Sequence, residues 1–308
     1  MNKTLKFLLK LSVSLGFLAW IILKTDWAQV LFYLNEISYW KLLLYVIFVV
    51  FGMVVSAYKW KMLGDFKDIN HSHWDYFRFY QAGTFINNFM PSFIGGDTFR
   101  AYQIGRTEKK YVEAVSSVMI DRITGFIGST ILVVLFGLLN FRHVILIKPL
   151  VVVEFFILAS FLLDIFLAQA KKFPFILKMS RFMPQKLQAL FVEMDEYSGH
   201  SSKILSRTIV WAMIFGIVGV AIPNLILFWA LGLKINILDY LSVVFIISII
   251  TAVPISINNI GIKEWAYVTF FGAFGVNTAA LVTISILSRF IQMIISFFAL
   301  PTYLKSRK

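Results

Sequence analysis

The chain has no cysteine and few charged residues among its 308 residues. The lack of cysteine excludes disulfides, thiolate metal sites and a cysteine nucleophile. Only 15% of the residues are charged, whereas soluble domains carry about 25%. The motifs GxxxxGK[ST], GxSxG and HExxH are missing, as are DxD-type runs of acids. No soluble enzyme class is therefore supported by a sequence motif.

Metal and cofactor sites lack support as well. His71 and His73 are two residues apart, which suits neither a helix face nor the usual zinc spacings. We therefore expect no metal and no cofactor. Binding or transport is favoured over an enzymatic activity.

Hydrophobic residues make up 59% of the chain and form long uncharged stretches. A helix of about 20 residues spans the hydrocarbon core of a bilayer. We predict spans at 5–23, 39–57, 115–139, 150–168, 208–231, 237–253 and 279–304. The predicted fold is an all-α polytopic membrane protein with about seven or eight transmembrane helices. Pro223 should kink the span that contains it.

The N-terminus has Lys3, Lys6 and Lys10 before an apolar run and resembles a signal peptide. No small-x-small cleavage site follows it, so we expect a retained anchor.

The net charge is +13, and the basic residues are distributed as expected for the topology of a membrane protein. Basic residues are concentrated at 59–78, 100–110, 169–207 and 303–308. The loops at 24–38, 232–236 and 272–278 hold only Lys24 and Lys234. This distribution predicts a cytoplasmic-membrane protein with both termini in the cytoplasm, and nucleic acid is not an expected partner. The same residues can attract anionic head groups.

We expect one membrane domain, 1–308, with two halves at 1–168 and 208–308. The basic segment 169–207 separates them. Within it, Gln185–Tyr197 has helical periodicity, and its apolar face comprises Leu187, Leu190, Phe191 and Met194. We predict an amphipathic helix on the cytoplasmic surface.

A polar stripe precedes the stretch PSFIGGDTFR, Pro91 to Arg100. Gln81, Thr84, Asn87 and Asn88 recur at helical spacing in FYQAGTFINNFM. Amides that face lipid are costly, so the stripe should face protein or a water-filled cavity. These twelve residues reach only about 18 Å, which predicts a re-entrant half-helix that stops at Pro91. An interfacial helix lying flat is the alternative.

A second stretch, PISINNIGIKE, resembles the first. Aligning Pro91 with Pro254 places Gly95-Gly96 on Asn258-Asn259 and Arg100 on Lys263. Both pairs suit left-handed backbone turns. The sequence thus predicts two re-entrant or broken segments and a weak two-fold internal repeat, a pattern that marks transporter sites.

Charged residues inside a membrane are rare and usually functional. The candidate substrate-binding residues are Asn88, Pro91, Gly95, Gly96, Asp97, Arg100, Asp121, Arg122, Asn258, Asn259, Lys263, Glu264 and Arg289. Adjacent helical residues point about 100° apart, so Asp121 and Arg122 should have separate partners. Ion pairs that lock helices together are the structural alternative. Backbone N–H groups at Gly95-Gly96 could bind phosphate, or the glycines could serve only a tight turn.

Two motifs carry a family resemblance. GTFINNFMPSFIGGDTFRAYQIGR, followed by EAVSSVMIDRITGFIG, resembles the signature of the lysylphosphatidylglycerol synthase transmembrane family. These flippase-like proteins include the membrane half of the multiple peptide resistance factor, and the resemblance covers about 10–303. VPISINNIGIKEWA matches a second signature in part, with Asn258-Asn259 for the usual glycines and Lys263 for the usual arginine.

The resemblance implies a polytopic bundle with re-entrant segments that moves or accommodates anionic or lipid-linked substrates. Some members carry a soluble aminoacyl-transferase domain. The sequence up to Lys308 holds no such domain, so the lipid-synthase activity is not expected to carry over.

The leading hypothesis is a lipid flippase that acts on an anionic phospholipid or a polyprenyl- or glycolipid-linked substrate. Arg100, Arg122, Lys263 and Arg289 would line a cavity, and Asp97, Asp121 and Glu264 would hold these bases or exchange protons. One alternative is a membrane transferase that uses Asp97 and Asp121. Another is a non-transporting lipid-binding partner of a cell-envelope complex. Expected partners are membrane lipids, with a homo-oligomer or a cell-envelope enzyme as further candidates.

Overall fold

The structure, a computed structural model, describes residues 12, 15, 16, 19–88, 94–147, 150, 151, 153, 185–199, 202–252 and 259–305. Every regular element in these ranges is a helix, which confirms the predicted all-α class. Helices α1 to α6 are Trp27–Asn35, Tyr39–Asp65, His73–Asn87, Ile94–Glu108, Tyr111–Leu139 and Phe141–Val144. Helices α7, α9, α11 and α12 are Gln185–Gly199, Ile237–Ala252, Thr278–Phe297 and Leu300–Lys305. Helix α8 consists of Ser202–Phe215, the π-helical segment Gly216–Ala221 and Ile222–Ala230. Helix α10 consists of Ile262–Ala266 and the π-helical segment Tyr267–Phe271.

Four helices in the described part of the chain are long and apolar enough to cross a membrane. They are Tyr39–Asp65, Tyr111–Leu139, Lys203–Ala230 and Thr278–Phe297. Each corresponds to a predicted span, although the last predicted span is divided between α11 and α12. Helix α9, with 16 residues, is a shorter apolar helix at the predicted span 237–253. The predicted spans 5–23 and 150–168 lie largely outside the described residues, so the total number of spans stays a prediction.

Helix α8 packs closely on α2 and α5 through small residues. A Cβ placed on Gly52 of α2 would lie 2.5 Å from the Cα of Gly219. A Cβ on Gly128 of α5 would lie 2.8 Å from the Cβ of Ala212. Small residues allow helix backbones to approach within a bilayer, where helix association depends on close packing. These contacts place α8 against two of the other three long helices, α2 and α5.

The predicted distortion at Pro223 takes the form of a π-helical segment. Proline lacks an N–H group, and its ring collides with the carbonyl four residues earlier. The π-helical segment ends immediately before Ile222-Pro223, and the Ile222 N–H bonds to the Ile217 carbonyl five residues back. The wider turn accommodates the proline without ending α8.

Helices α3 and α4 form a first hairpin, connected by residues that include 89–93, outside the described ranges. A Cβ placed on Gly96 would lie 2.1 Å from the carbonyl oxygen of Gly83, so the two backbones touch. Beside the connection, the Gly96 N–H donates to the side-chain oxygen of Asn87 at 2.9 Å. Helix α3 ends at Asn87, four residues before Pro91, which agrees with the predicted half-helix.

Helices α9 and α10 form a second hairpin, connected by residues that include 253–258, again outside the described ranges. Tyr240 near the start of α9 stacks on Phe271 at the end of α10, with ring centroids 5.6 Å apart. Beside the connection, the side-chain amide of Asn259 donates to the Thr251 carbonyl at 2.6 Å. Asn259 has a φ of 55°, the left-handed conformation that asparagine tolerates. An asparagine side chain therefore joins the two helices of each hairpin.

The two hairpins enter the bundle from opposite ends. Lys41, near the start of α2, donates to the carbonyl of Trp229 near the end of α8, so these helices are antiparallel. The first hairpin follows the end of α2, and the second follows the end of α8. Opposed hairpins are the arrangement that inverted repeats produce in transporters.

Helix α7 packs on the end of the bundle where α2 ends and α5 begins, named the basic end. The exposed bases at the basic end include Arg106, Lys109, Lys203 and Arg207. The Tyr197 hydroxyl donates to the Leu63 carbonyl at 3.0 Å, and Lys67 Nζ lies 2.6 Å from Glu193 Oε2. Burial raises the pKa of the Tyr197 phenol, and neighbouring carboxylates add to this, so the hydroxyl stays a donor. The predicted helix at Gln185–Tyr197 is confirmed.

Candidate functional site

The polar stripe predicted on α3 faces protein and a cavity. Gln81 donates to a backbone carbonyl of α11 at 3.2 Å, and Asn88 Nδ2 donates to Ser296 Oγ at 2.6 Å. Asn87 bonds to α4. Thr84 lines the cavity. The prediction that these side chains face the interior is confirmed, because contacts within the bundle spare them the cost of facing lipid.

Four of the predicted residues form one charge network beside the first hairpin. Asp97 accepts two hydrogen bonds from Arg122, each of 2.8 Å, and one from Arg100 Nε at 3.1 Å. Arg100 Nη2 also donates to Asp121 Oδ2 at 3.0 Å. Asp121 and Arg122 thus have separate partners, as helix geometry predicted.

Lys59 completes this network, although it is not among the residues predicted from the sequence. Its Nζ lies 2.9 Å from Asp121 Oδ1 and 2.8 Å from the Asp121 carbonyl oxygen. Lys59 is only 4% exposed, whereas the charge pattern places it in a basic segment outside the membrane. No feature of the sequence marks this burial, because the apolar stretch ends near residue 57. With three bases and two acids, the network has one excess positive charge.

Arg100 is buried between two aromatic rings. Its guanidinium carbon lies 4.8 Å from the ring centroid of Trp60 and 5.3 Å from that of Tyr80. Such cation–π contacts stabilise a cation that is removed from water. Tyr80 lines the cavity, whereas Arg100 does not. Arg122, at the other end of the network, has a side chain that is 51% exposed.

A smaller ion pair joins the second hairpin to α11. Arg289 Nη2 donates to Glu264 Oε1 at 2.8 Å and to the Asn259 carbonyl at 3.1 Å. The other oxygen of Glu264 accepts the Gly261 N–H at 2.7 Å, which caps the start of α10. The Glu264 carboxylate thus pairs with Arg289 and also caps the N-terminus of α10.

Lys263 differs from the other predicted bases. Its Nζ donates to Ser288 Oγ at 2.7 Å, and among the described residues no carboxylate forms an ion pair with it. The same atom lies 5.9 Å from the ring centroid of Tyr267. Lys263 also lines the cavity.

The cavity lies between the two hairpins and has a volume of about 270 Å³. Its polar lining residues come from both hairpins and from α8 and α11, and they are Tyr80, Thr84, Asn224, Ser248, Thr251, Lys263, Tyr267 and Gln292. Apolar residues of α2, α8 and α9 form the rest. Among the described lining residues, Lys263 carries the one charge.

Helix α11 contacts both hairpins next to their connections. Lys263 bonds to Ser288, and Asn88 bonds to Ser296, eight residues further along. At a rise of 1.5 Å per residue, these contacts are about 12 Å apart. Gln292, midway between them, lines the cavity.

The predicted site residues therefore lie in two groups. The first group is Asp97, Arg100, Asp121 and Arg122, and the second is Asn259, Lys263, Glu264 and Arg289. Of the four bases expected to line one cavity, Lys263 does so. The other three bases do not line the cavity. Each forms an ion pair with a carboxylate, and they are Arg100, Arg122 and Arg289. Pro91 and Asn258 lie outside the described residues.

Gly95 and Gly96 do not form the predicted glycine turn. Both lie in the first turn of α4, and neither has a positive φ. The Gly96 N–H, a candidate phosphate donor, is engaged by Asn87. A glycine is needed at position 96 because the backbone of Gly83 is so close. The requirement comes from packing rather than from turn geometry.

A third polar cluster, also not predicted from the sequence, lies at the end of the bundle opposite the basic end. Asp239 Oδ1 accepts from Asn140 Nδ2 at 2.8 Å and lies 2.9 Å from His143 Nδ1. The cluster ties the start of α9 to the end of α5. Polar residues are common at helix ends, so nothing in the sequence distinguishes these three. Within the described ranges, no group of three or more His, Asp or Glu side chains could hold a metal ion.

A comparison with protein families matches residues 7–299 to the family described as Lysylphosphatidylglycerol synthase TM region. The match covers nearly all of the chain, in agreement with the resemblance carried by the two motifs. Comparisons with curated proteins and with solved structures found no match.

Proposed function

The chain belongs to the lysylphosphatidylglycerol synthase TM region family, and from this premise we propose that it is a lipid transporter of the flippase type. Membership of the family indicates a membrane protein involved in lipid handling. The finer proposal is that the cavity between the hairpins binds the head group of an anionic lipid. The protein then moves this lipid across the cytoplasmic membrane.

The position of Lys263 is the observation that carries this proposal. A cation without a carboxylate partner among the described residues lies on the wall of a polar cavity between two opposed hairpins. Charged residues inside a membrane bundle normally pair with one another, and they mark substrate or ion pathways. An anionic head group supplies the missing negative charge.

The two ion-pair networks support the cavity from either side. Asp97 and Asp121 hold Arg100 and Arg122 beside the first hairpin, and Glu264 holds Arg289 beside the second. In the proposed site, the acids position the bases. The excess positive charge of the first network adds to the attraction for anionic lipids.

The lipid tails are proposed to remain among the apolar side chains on the outer surface of the spans. Leu43, Ile47 and Phe51 of α2 are each exposed and recur at helical spacing. A surface of this kind is compatible with acyl or isoprenoid chains.

We assign the basic end to the cytoplasm, with both termini on that side. Exposed bases are more numerous at this end, and loops that are rich in lysine and arginine stay cytoplasmic. The assignment implies that the first hairpin enters from the cytoplasm and the second from the opposite side.

A transferase activity is less well supported. A general base must approach the substrate hydroxyl to about 3 Å. Asp97 and Asp121, the candidate bases, are occupied by ion pairs, and no carboxylate is among the described residues that line the cavity.

Transport can be tested with purified protein in liposomes that contain a fluorescent phosphatidylglycerol. A membrane-impermeant quencher reports the lipid that reaches the outer leaflet. We expect protein-dependent transbilayer movement that Lys263→Gln slows about tenfold, because a charge-assisted hydrogen bond contributes about 1.5–3 kcal/mol. Lys234→Gln, the same change at an exposed loop lysine, should leave the rate unchanged.

Three results would contradict the proposal. The first is the absence of movement for every lipid tried. The second is a Lys263→Gln rate equal to that of the wild type, and the third is an equal loss in Lys234→Gln. Lipid binding without movement would replace the flippase with a non-transporting lipid-binding role.

A further inference from the structure

Helix α7 covers one end of the charge network. At that end the side chains of Lys59 and Asp121 are buried, whereas the side chain of Arg122 at the other end is half-exposed. We infer that α7 is a lid on the basic end of the bundle. When docked, the lid keeps water away from the Lys59–Asp121 ion pair, and when released it opens a path from the basic end to this pair.

An apolar cluster separates α7 from the ion pair. Its buried members come from three helices, and they are Leu63 of α2, Ile120 of α5 and Tyr197 of α7. Leu63 lies one helical turn beyond Lys59, towards the end of α2. Ile120 immediately precedes Asp121 and is therefore closer to the start of α5. Both residues lie on the basic-end side of the ion pair, so Tyr197 closes the apolar cover above it.

The hydroxyl of Tyr197 replaces a hydrogen bond that α2 lacks at its end. The Lys67 N–H bonds to the Gly64 carbonyl at 2.9 Å and leaves the Leu63 carbonyl without this partner. The Tyr197 hydroxyl donates to that carbonyl at 3.0 Å. Carbonyls at a helix end accept equally from a side chain or from water. Water can therefore take the place of Tyr197, and α7 can leave without stranding a polar group.

Lys67 fastens α7 to the bundle. Its Nζ lies 2.6 Å from Glu193 Oε2, bonds to Glu196 as well, and lies 5.0 Å from the ring centroid of Tyr197. The lysine side chain is only 4% exposed, whereas the side chains of Glu193 and Glu196 are 24% and 55% exposed. Release of α7 thus exposes a lysine to water and leaves two carboxylates that water already reaches, so no unpaired charge stays buried.

The turn that carries Lys67 is held by the bundle itself. Lys110, at the start of α5, donates from Nζ to the carbonyls of Lys67 and Asp68 at 3.0 and 3.2 Å. The Ile69 N–H returns to the Gly64 carbonyl at 3.0 Å. These hydrogen bonds do not involve α7. The docking surface for α7 is therefore formed before the helix docks.

Docking of α7 also bears on the first hairpin. The attraction between Lys59 and Asp121 is strong in a low-dielectric interior, and water that reaches the pair weakens it. Asp121 also accepts a hydrogen bond of 3.0 Å from Arg100 of α4. The position of α7 thereby influences how firmly the first hairpin is held to α5.

Water access beneath the lid can be measured by cysteine labelling. Ile120→Cys, in the full chain purified in detergent, is exposed to a water-soluble maleimide. We expect slow labelling, because Ile120 is buried under Tyr197. Lys67→Gln should accelerate it about tenfold or more, since the loss of a charge-assisted hydrogen bond shifts an opening equilibrium by such a factor. Lys67→Arg retains the charge and should keep labelling slow.

Two controls separate lid opening from general loosening. Lys61→Gln removes a lysine of the same helix that pairs with Asp65 rather than with α7, and it should leave the rate unchanged. Val243→Cys, at a fully buried position in α9, should stay unlabelled in the Lys67→Gln background. If Ile120→Cys does not fold, Leu63→Cys reports on the same cluster.

Two results would overturn the lid. One is an Ile120→Cys rate that Lys67→Gln leaves unchanged. The other is an equal acceleration at Val243→Cys, which would show that Lys67 stabilises the whole bundle rather than the docking of α7. The assay contains no lipid probe, so its result is independent of whether the protein transports lipids.

Discussion

At the scale of single residues, the buried charges of this bundle are held by one another before any ligand arrives. Asp121 lies between Lys59 and Arg100, and all three are buried. Removing such ions from water costs several kcal/mol for each ion unless partners compensate. The network is therefore a requirement for folding as well as a neighbour of the cavity.

Asp121→Asn should lower the free energy of unfolding by about 3–5 kcal/mol, because Lys59 and Arg100 would lose their shared carboxylate. Asp65→Asn is the matched control. Asp65 pairs with Lys61 but its side chain is 44% exposed, so the loss should stay below about 1 kcal/mol. Denaturant unfolding in detergent, followed by circular dichroism, measures both. Equal losses in the two variants would show that the buried network is not structural.

Part of this network could be predicted from the sequence. The 100° rotation between adjacent helical residues was enough to give Asp121 and Arg122 different partners. Lys59 could not be placed because the apolar stretch ends near residue 57, whereas α2 continues to Asp65. The hydropathy of a segment shows where lipid contact stops, and a helix can continue beyond that point inside the protein.

At the scale of helices, close contact between backbones holds the first hairpin together. The polar stripe and Pro91 were sufficient to predict a half-helix. They could not show that Gly96 packs on Gly83, because this contact joins residues on either side of the connection. The π-helical segment Tyr267–Phe271 contains no proline, so nothing in the local sequence predicted it.

Gly96→Ala should destabilise the protein by about 1–3 kcal/mol, because the added methyl group must push the Gly83 carbonyl away. Gly272→Ala is a suitable control, since a Cβ there meets nothing within 4 Å and the φ is −61°. Its effect should stay within about 0.5 kcal/mol. Denaturant unfolding of both variants provides the comparison. A Gly96→Ala variant as stable as Gly272→Ala would contradict the backbone contact.

At the scale of the whole molecule, the opposed hairpins and the basic end define a direction across the membrane. The number of spans could not be determined from the sequence alone, because hydropathy does not separate a full span from a half-helix. Helix α9 shows the difficulty, since it is largely apolar but has only 16 residues.

The proposed orientation can be tested by cysteine labelling, because the chain has no cysteine of its own. Lys234→Cys, in an exposed loop at the end opposite the basic end, should react with a membrane-impermeant maleimide in intact cells. Lys203→Cys, exposed at the basic end, should react only after permeabilisation. The opposite pattern would reverse the assignment of the two ends.

The two contacts of α11 have a mechanical consequence. One helix holds Lys263 at Ser288 and Asn88 at Ser296, so the rise of that helix sets the separation of the two hairpins. Gln81 and Arg289 also bond the first and the second hairpin to α11, so the hairpins cannot slide apart along this axis unless the bonds of one hairpin to α11 break. If these bonds are kept, access to the cavity can alternate only if the two hairpins tilt about the axis of α11.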